Sequence, residues 1–276
     1  MLQAHIGFLG AGQMARALAQ GFLRAGLVEG RQLAAADPEP AALEAFRGFA
    51  PQAALSADNQ AVDAKADVLF LAVKPQQMST ALAALAGRIG PDTLVISIAA
   101  GVPLKTIAAG LGQTKAGAPR LARVMPNTCC LVGQSASAYC LGPGATEADG
   151  RLLGDLLSAV GRAWPVDEKL LDAVTGLSGS GPAYVFLAIE ALADGGVQAG
   201  LPRATALALA AQTVRGAAEM VLSGGEHPAV LKDRVTSPAG TTIAGLDVLE
   251  KAGVRGALMG AVAAAARRSA ELSGVS

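Results

Sequence analysis

The chain has 276 residues, of which 52% are hydrophobic and 16% charged, and its 22 basic and 22 acidic side chains leave no net charge. That balance excludes a disordered chain, and the absence of a basic stripe excludes a nucleic-acid partner. Aromatic residues make up only 3%, so the core must be assembled from small aliphatic side chains, which bury little area each and favour further burial by self-association.

Residues 4–9 read as a short buried strand, followed by Gly10-Ala11-Gly12-Gln13-Met14-Ala15 and an apolar helical pattern that stops at Gly26. Residues 32–36 form a second strand ending at Asp37-Pro38. Residues 67–73 form a third, without polar alternation, as expected of a strand covered on both faces. Residues 93–98 and 121–125 give a fourth and a fifth. Helical stretches between several of them predict an α/β domain, a Rossmann-type doubly wound parallel sheet over residues 1–163. After Trp164-Pro165 no strand is evident. Helices over 182–199, 202–222, 236–253 and 254–272 predict an all-helical domain over 164–276. They are apolar on most faces, so they are expected to bury one another and a second copy of the chain.

No segment suits a membrane. The uncharged run 173–189 is interrupted by Ser178-Gly179-Ser180-Gly181-Pro182, which would break a spanning helix. The first residues lack the ordered regions of a signal peptide. Cys129, Cys130 and Cys140 are odd in number and lack metal-ligand spacing, so they read as reduced thiols of a cytoplasmic protein, with no metal site.

Gly10, Gly12 and Ala15 fit the spacing of a dinucleotide turn. The first glycine permits a tight turn, the second a close backbone approach to pyrophosphate, and the third small residue lets helix and strand pack. The helix start offers free N–H groups to phosphate. The turn follows a strand, opens a helix, and is answered by Asp37 at the end of the next strand, which is the context such a motif requires. Asp37 itself has two readings. It can bind both ribose hydroxyls, which favours NADH over NADPH, or it simply forms the turn before Pro38. Lys74 suits either a cleft wall or a solvated turn, and Ala99, Ala100 and Gly101 follow the fourth strand where ligands of parallel sheets bind. The cofactor candidates are therefore Gly10, Ala11, Gly12, Gln13, Met14, Asp37, Asn59, Ala72, Val73, Lys74, Pro75, Ala99, Ala100 and Gly101.

Four further segments are more specific. They are Ala72-Val73-Lys74-Pro75, Met125-Pro126-Asn127-Thr128, residues 176–184 (Gly-Leu-Ser-Gly-Ser-Gly-Pro-Ala-Tyr), and residues 233–250, which begin Asp-Arg-Val-Thr-Ser-Pro-Ala-Gly-Thr-Thr. Together they resemble the pyrroline-5-carboxylate reductase family over essentially the whole chain, and residues 233–250 look like its signature. The resemblance implies NADPH- or NADH-dependent reduction of 1-pyrroline-5-carboxylate to L-proline. It also implies a homodimer or a higher homo-oligomer, up to a decamer built as a ring of dimers. Hydroxyls and free N–H groups of Ser237, Gly240, Thr241 and Thr242 would hold the substrate carboxylate, with Pro238 in the first helical turn. By resemblance, Thr242 would hydrogen-bond the ring nitrogen and act as the catalytic residue. Ser180 sits in a glycine-rich loop that either admits a ligand closely or only connects and caps, and Glu226 has a loop position from which it could reach the substrate. Two departures stand out: Cys129-Cys130 where many members have Pro, and Ala239 where many have Gly. The second matters where that backbone position needs a positive φ. Two rivals use the same plan, a β-hydroxyacid dehydrogenase and a non-catalytic dinucleotide-binding protein. The first needs a lysine on the helix after Pro182, which has none; the second is disfavoured by the Thr241-Thr242 pair.

Overall fold

A computed structural model describes residues 2–58, 62, 66–113 and 117–272. The chain divides into two compact units, Met1–Ser180 with Ala264–Ser276, and Gly181–Ala263. The chain passes between the units at 180/181 and again at 263/264, whereas the sequence pattern changes once, at 163/164.

The described residues of the first unit build an eight-stranded sheet. Its strands are β1 (Ile6–Leu9), β2 (Leu33–Ala36), β3 (Ala54–Ser56), β4 (Val68–Leu71), β5 (Leu94–Ser97), β6 (Arg120–Met125), β7 (Ser135–Leu141) and β8 (Gly161–Pro165). The order is β3-β2-β1-β4-β5-β6-β7-β8. All neighbours are parallel except β6 and β7. Helices α1 (Gln13–Arg24), α2 (Pro40–Arg47), α3 (Met78–Leu85), α4 (Leu104–Leu111) and α5 (Glu147–Ser158) accompany it. The five strands read from sequence are present; the first four are shorter than read and the fifth begins one residue earlier. β3, β7 and β8 are additions. β7 alternates buried and partly exposed residues, β8 is largely exposed, and β3 is three residues long, so none carries a continuous apolar run. β7 returns antiparallel because only a short loop separates it from β6, too short for a crossover.

β1 and β4 are buried throughout. Phe8 and Phe70 stack with ring centres 5.1 Å apart, and Phe22 lies 5.9 Å from Phe70. These few large rings fill the space between sheet and helix that the many alanines leave. A short helix α6 (Leu171–Val174) runs into a π-helical turn at Thr175–Gly179. Asp172 accepts a hydrogen bond of 2.6 Å from the hydroxyl of Ser269, near the end of the last helix.

The second unit is helical. It contains α7 (Gly181–Gln198), α8 (Arg203–Gly224), α9 (Pro228–Arg234), α10 (Thr241–Lys251) and the first part of α11 (Val254–Leu272). The helix expected from residue 236 starts five residues later. Ala239 takes φ 54°, a left-handed conformation that no helix continues. Gly240 is extended and forms the N-cap. Pro238 therefore lies in the turn before α10, not in its first turn. Gly253, at φ 70°, separates α10 from α11. No described helix is long and apolar enough to cross a membrane.

Candidate functional site

The first unit carries a cleft of about 650 Å³ at the carboxyl ends of β1, β2 and β4. Strand order reverses between β1 and β4, and ligands of open parallel sheets bind at such a switch point. Gly10 leaves β1 with φ 97°, and a Cβ there would sit 2.8 Å from the carbonyl oxygen of Ala72. Only glycine can make that turn so close to the neighbouring strand. Gly12 is the N-cap of α1 and lends no side-chain cap. A Cβ on Gly12 would meet nothing within 4 Å, so this face of the turn is open. The first turn of α1 holds no acidic residue. Its leading N–H groups have no intrahelical partners, and the helix dipole favours an anion beside them.

The Asp37 carboxylate closes the turn from the β2 side. One oxygen accepts the Ala11 N–H at 2.8 Å, and the other accepts the Glu39 N–H at 2.9 Å. Of the cofactor candidates, Gly10, Gly12, Asp37, Ala72, Val73 and Lys74 line this cleft together. Ala11, Gln13 and Met14 belong to the same turn and the start of α1, and Pro75 follows Lys74 in a short 3-10 turn. Ala99, Ala100 and Gly101 follow the neighbouring strand β5 but do not line the cleft. Asn59 lies outside the described residues. Sequence reading missed Pro38, Glu39, Ala42, Gln77, Thr80 and Ala81 on the cleft wall. Their signal was position alone, since they fall just beyond the two strand ends already singled out.

Asn127 was also missed as an anchor. It is 6% exposed. Its amide donates to the Ser178 carbonyl at 3.0 Å, its side-chain oxygen accepts the Cys129 N–H at 3.2 Å, and its own N–H donates to the Ser135 hydroxyl at 3.3 Å. It thereby ties the π-helical turn that leads to Ser180 to the end of β6. Inside that turn the Ser180 N–H donates to the Thr175 carbonyl at 2.8 Å. Cys130 is buried against Met14, and burial pushes its thiol up to about 11. Burial does the same at Cys140. Both thiols therefore stay protonated at neutral pH and contribute no nucleophile. No group of acidic, histidine or cysteine side chains among the described residues could hold a metal ion.

In the second unit, Ser237, Gly240, Thr241 and Thr242 are brought together at the start of α10. A Cβ on Gly240 would lie 2.2 Å from the Ser237 hydroxyl oxygen, so glycine is what lets Ser237 fold over the N-cap. The Gly240 N–H donates to the Ser237 carbonyl at 3.1 Å. No side chain caps α10 and no acidic residue sits in its first turn, so its leading N–H groups offer a second anion-favouring terminus. Thr241 is exposed and Thr242 half-buried. Glu226 is held differently. Both its oxygens accept from Arg234, at 2.5 and 2.6 Å, so its charge is neutralised by a bidentate ion pair.

Comparison with known proteins covers both units. The family model described as pyrroline-5-carboxylate reductase dimerisation matches residues 168–272. A model described as NADP oxidoreductase, coenzyme F420-dependent, matches residues 5–101. The chain is 50% identical over 268 residues to the pyrroline-5-carboxylate reductase of Pisum sativum, covering 97% of this chain and 96% of the relative. It is 50% identical over 270 residues to that of Methanosarcina acetivorans, covering 97% of both. It also superimposes on the solved pyrroline carboxylate reductase of Plasmodium falciparum, described with NADP bound, with a TM-score of 0.87 at 32% identity and 99% coverage of both chains.

Proposed function

Since the chain belongs to the pyrroline-5-carboxylate reductase family, we propose that it reduces 1-pyrroline-5-carboxylate to L-proline with a reduced nicotinamide dinucleotide, the last step of proline synthesis. Half-identity along nearly the whole chain is the observation that carries this reading.

The cleft of the first unit fits the cofactor. Its glycine turn leaves space above Gly12, the N–H groups of α1 suit a pyrophosphate, and Lys74 adds a cation at the β4 end. When bound, the dinucleotide supplies the hydride that goes to the imine carbon. The chain's own residues bind and orient. Ser237 and the N–H groups of Gly240 and Thr241 hold the substrate carboxylate, where the α10 dipole favours an anion. The Thr242 hydroxyl hydrogen-bonds the ring nitrogen as its electron density rises. A protonated imine is already electrophilic, so the protein needs orientation more than a strong acid. Asn127, through Ser178, holds the π-helical turn that leads to Ser180. Glu226 keeps Arg234 in place and reaches the substrate only by giving up that pair.

The dimerisation segment and the apolar surface of the second unit support a homodimer or a larger ring of such dimers. Three free cysteines suit a reducing compartment such as the cytoplasm.

The decisive test is turnover. Purified protein should oxidise NADH or NADPH only when pyrroline-5-carboxylate is present, and yield proline. Thr242→Val keeps the β-branched shape while removing the hydroxyl, so kcat should fall at the low end of the roughly 10²- to 10⁴-fold typical of proton donation. Thr242→Ser should retain most activity. A Val variant with unchanged kcat and KM would reduce Thr242 to a helix-start residue.

A further inference from the structure

We propose that this chain binds NADH more tightly than NADPH, because Asp37 and Glu39 make the β2 end of the cleft acidic. The inference rests on the dinucleotide reading of that cleft. The Asp37 carboxylate is fixed, since each oxygen accepts one backbone N–H, from Ala11 and from Glu39. A carboxylate has about four lone-pair sites, so one on each oxygen remains for the two hydroxyls of a ribose. A 2′-phosphate in the same place would face a held negative charge with no proton to share.

No cationic side chain among the described residues at the β2 end of the cleft offsets that charge, although the start of α2, beside Glu39, favours an anion. Lys74 is the one cationic residue among the described residues that line the cleft. It follows β4, on the far side of β1 from β2, so its backbone stands two strand spacings, about 10 Å, from the end of β2. Arg31 precedes β2 and pairs with Glu29 at 2.8 Å. A four-residue strand, roughly 13 Å, separates it from Asp37. Arg47 ends α2 and pairs with Glu44 at 3.6 Å, about 10 Å along the helix from its start at the cleft. Arg16, on α1, is not among the lining residues. Glu39 adds a second carboxylate to the same wall. A phosphate carrying close to two negative charges therefore meets two acids and no neighbouring guanidinium.

The test is a direct binding titration of the intact protein, without substrate, following the fluorescence of NADH and of NADPH. NADH should bind at least about tenfold more tightly, since a few ångströms between like charges amounts to that much even in a solvated cleft. Glu39→Arg should tighten NADPH by roughly threefold or more and change NADH by less than that, and adding Asp37→Ser should reverse the preference. Salt should narrow the gap, because screening relieves repulsion but leaves the ribose hydrogen bonds. Equal affinities, or tighter NADPH binding by the unmodified chain, overturn the preference while leaving the dinucleotide site intact. Failure to bind either dinucleotide overturns both.

Discussion

The two units solve the problem of a chain poor in aromatics in opposite ways. The first keeps four of its phenylalanines inside. Phe8, Phe22, Phe46 and Phe70 are fully buried, each packed between the sheet and a helix. The second has a core of Ala193, Ala206 and Ala210, with Ile189 and Val197 packed beside it, and leaves its large side chains outside. Phe186 is 63% exposed and Leu187 67%. Together with Ala183, Ile189 and Leu207 they line a groove of about 930 Å³ on α7 and α8. Alanine-on-alanine contact lets two helices approach closely but removes little apolar area from water. The first unit thus buries its large side chains in its own interior, whereas the second leaves a large apolar surface exposed, the kind of surface that marks an interaction site.

The sharpest way to break this comparison is to place charge on the outer face of α7. Phe186→Asp with Leu187→Asp should abolish self-association. If a second copy covers both side chains, losing them costs roughly 3–6 kcal/mol, at least a hundredfold in dissociation constant. Sedimentation equilibrium over a concentration series measures it. A stable, active monomer of the unmodified chain at low concentration would remove the reason for that exposed surface.

Phe70→Ala probes the other unit. It removes a ring that touches both Phe8 and Phe22, and should cost about 3–5 kcal/mol, as large-to-small core changes do. The loss should be independent of protein concentration, whereas that of the α7 variant should not. Concentration-dependent melting of Phe70→Ala would mean the first unit, too, depends on association.

The same contrast explains what was legible in the sequence. β1, β4 and β5 are buried on both faces, so their apolar runs stood out. β8 lies at the edge with Arg162, Trp164 and Pro165 exposed, and nothing in its composition separates it from a loop. The glycine turn could be read because its requirements are local: a positive φ at Gly10 and open space at Gly12. Asn127 could not, because its role depends on Ser178, 51 residues away. The start of α10 was misplaced for a related reason. Thr-Ser-Pro is a common helix opening, but the left-handed Ala239 delays the helix, and alanine gives no sign of that conformation.

A smaller effect is expected at Arg120 and Asp149, an ion pair joining β6 to the start of α5 in the first unit. Burial pushes the Asp149 carboxyl up, but hydrogen bonds from Arg120 and Thr146 outweigh it and hold the group below the usual carboxylate range. A folded-state pKa below the unfolded one means the stabilisation is present at neutral pH and fades as pH falls through the folded value. Asp149→Asn should cost about 2 kcal/mol at pH 7. The difference from the unmodified protein should shrink in acid. A gap that stays constant from neutral to acidic pH in denaturant titrations would show that charge plays no part.

The smallest effect concerns Ala239, at the entrance to the proposed substrate loop. Among the described residues it is the non-glycine with a positive φ, 54°. A left-handed alanine crowds its Cβ against the following carbonyl, at roughly 1 kcal/mol. The residue is exposed, so removing its methyl group gives up little packing. Ala239→Gly should relieve the strain, while the freer unfolded chain takes back about 0.4–1 kcal/mol. The net change is then at most about 0.5 kcal/mol of stabilisation, a melting shift on the order of 1–2 °C for a chain of this size. The next position should answer with the opposite sign. Gly240→Ala would drive a Cβ to within 2.2 Å of the Ser237 hydroxyl oxygen, so Ser237 must leave the N-cap and the KM for the imine should rise. Adjacent alanine and glycine thus exchange roles: one carries strain that glycine would remove, the other space that alanine would close. A lower melting temperature for Ala239→Gly, with Gly240→Ala indistinguishable from the unmodified enzyme, would show that the turn adjusts to either residue and that its backbone does not set the position of Ser237.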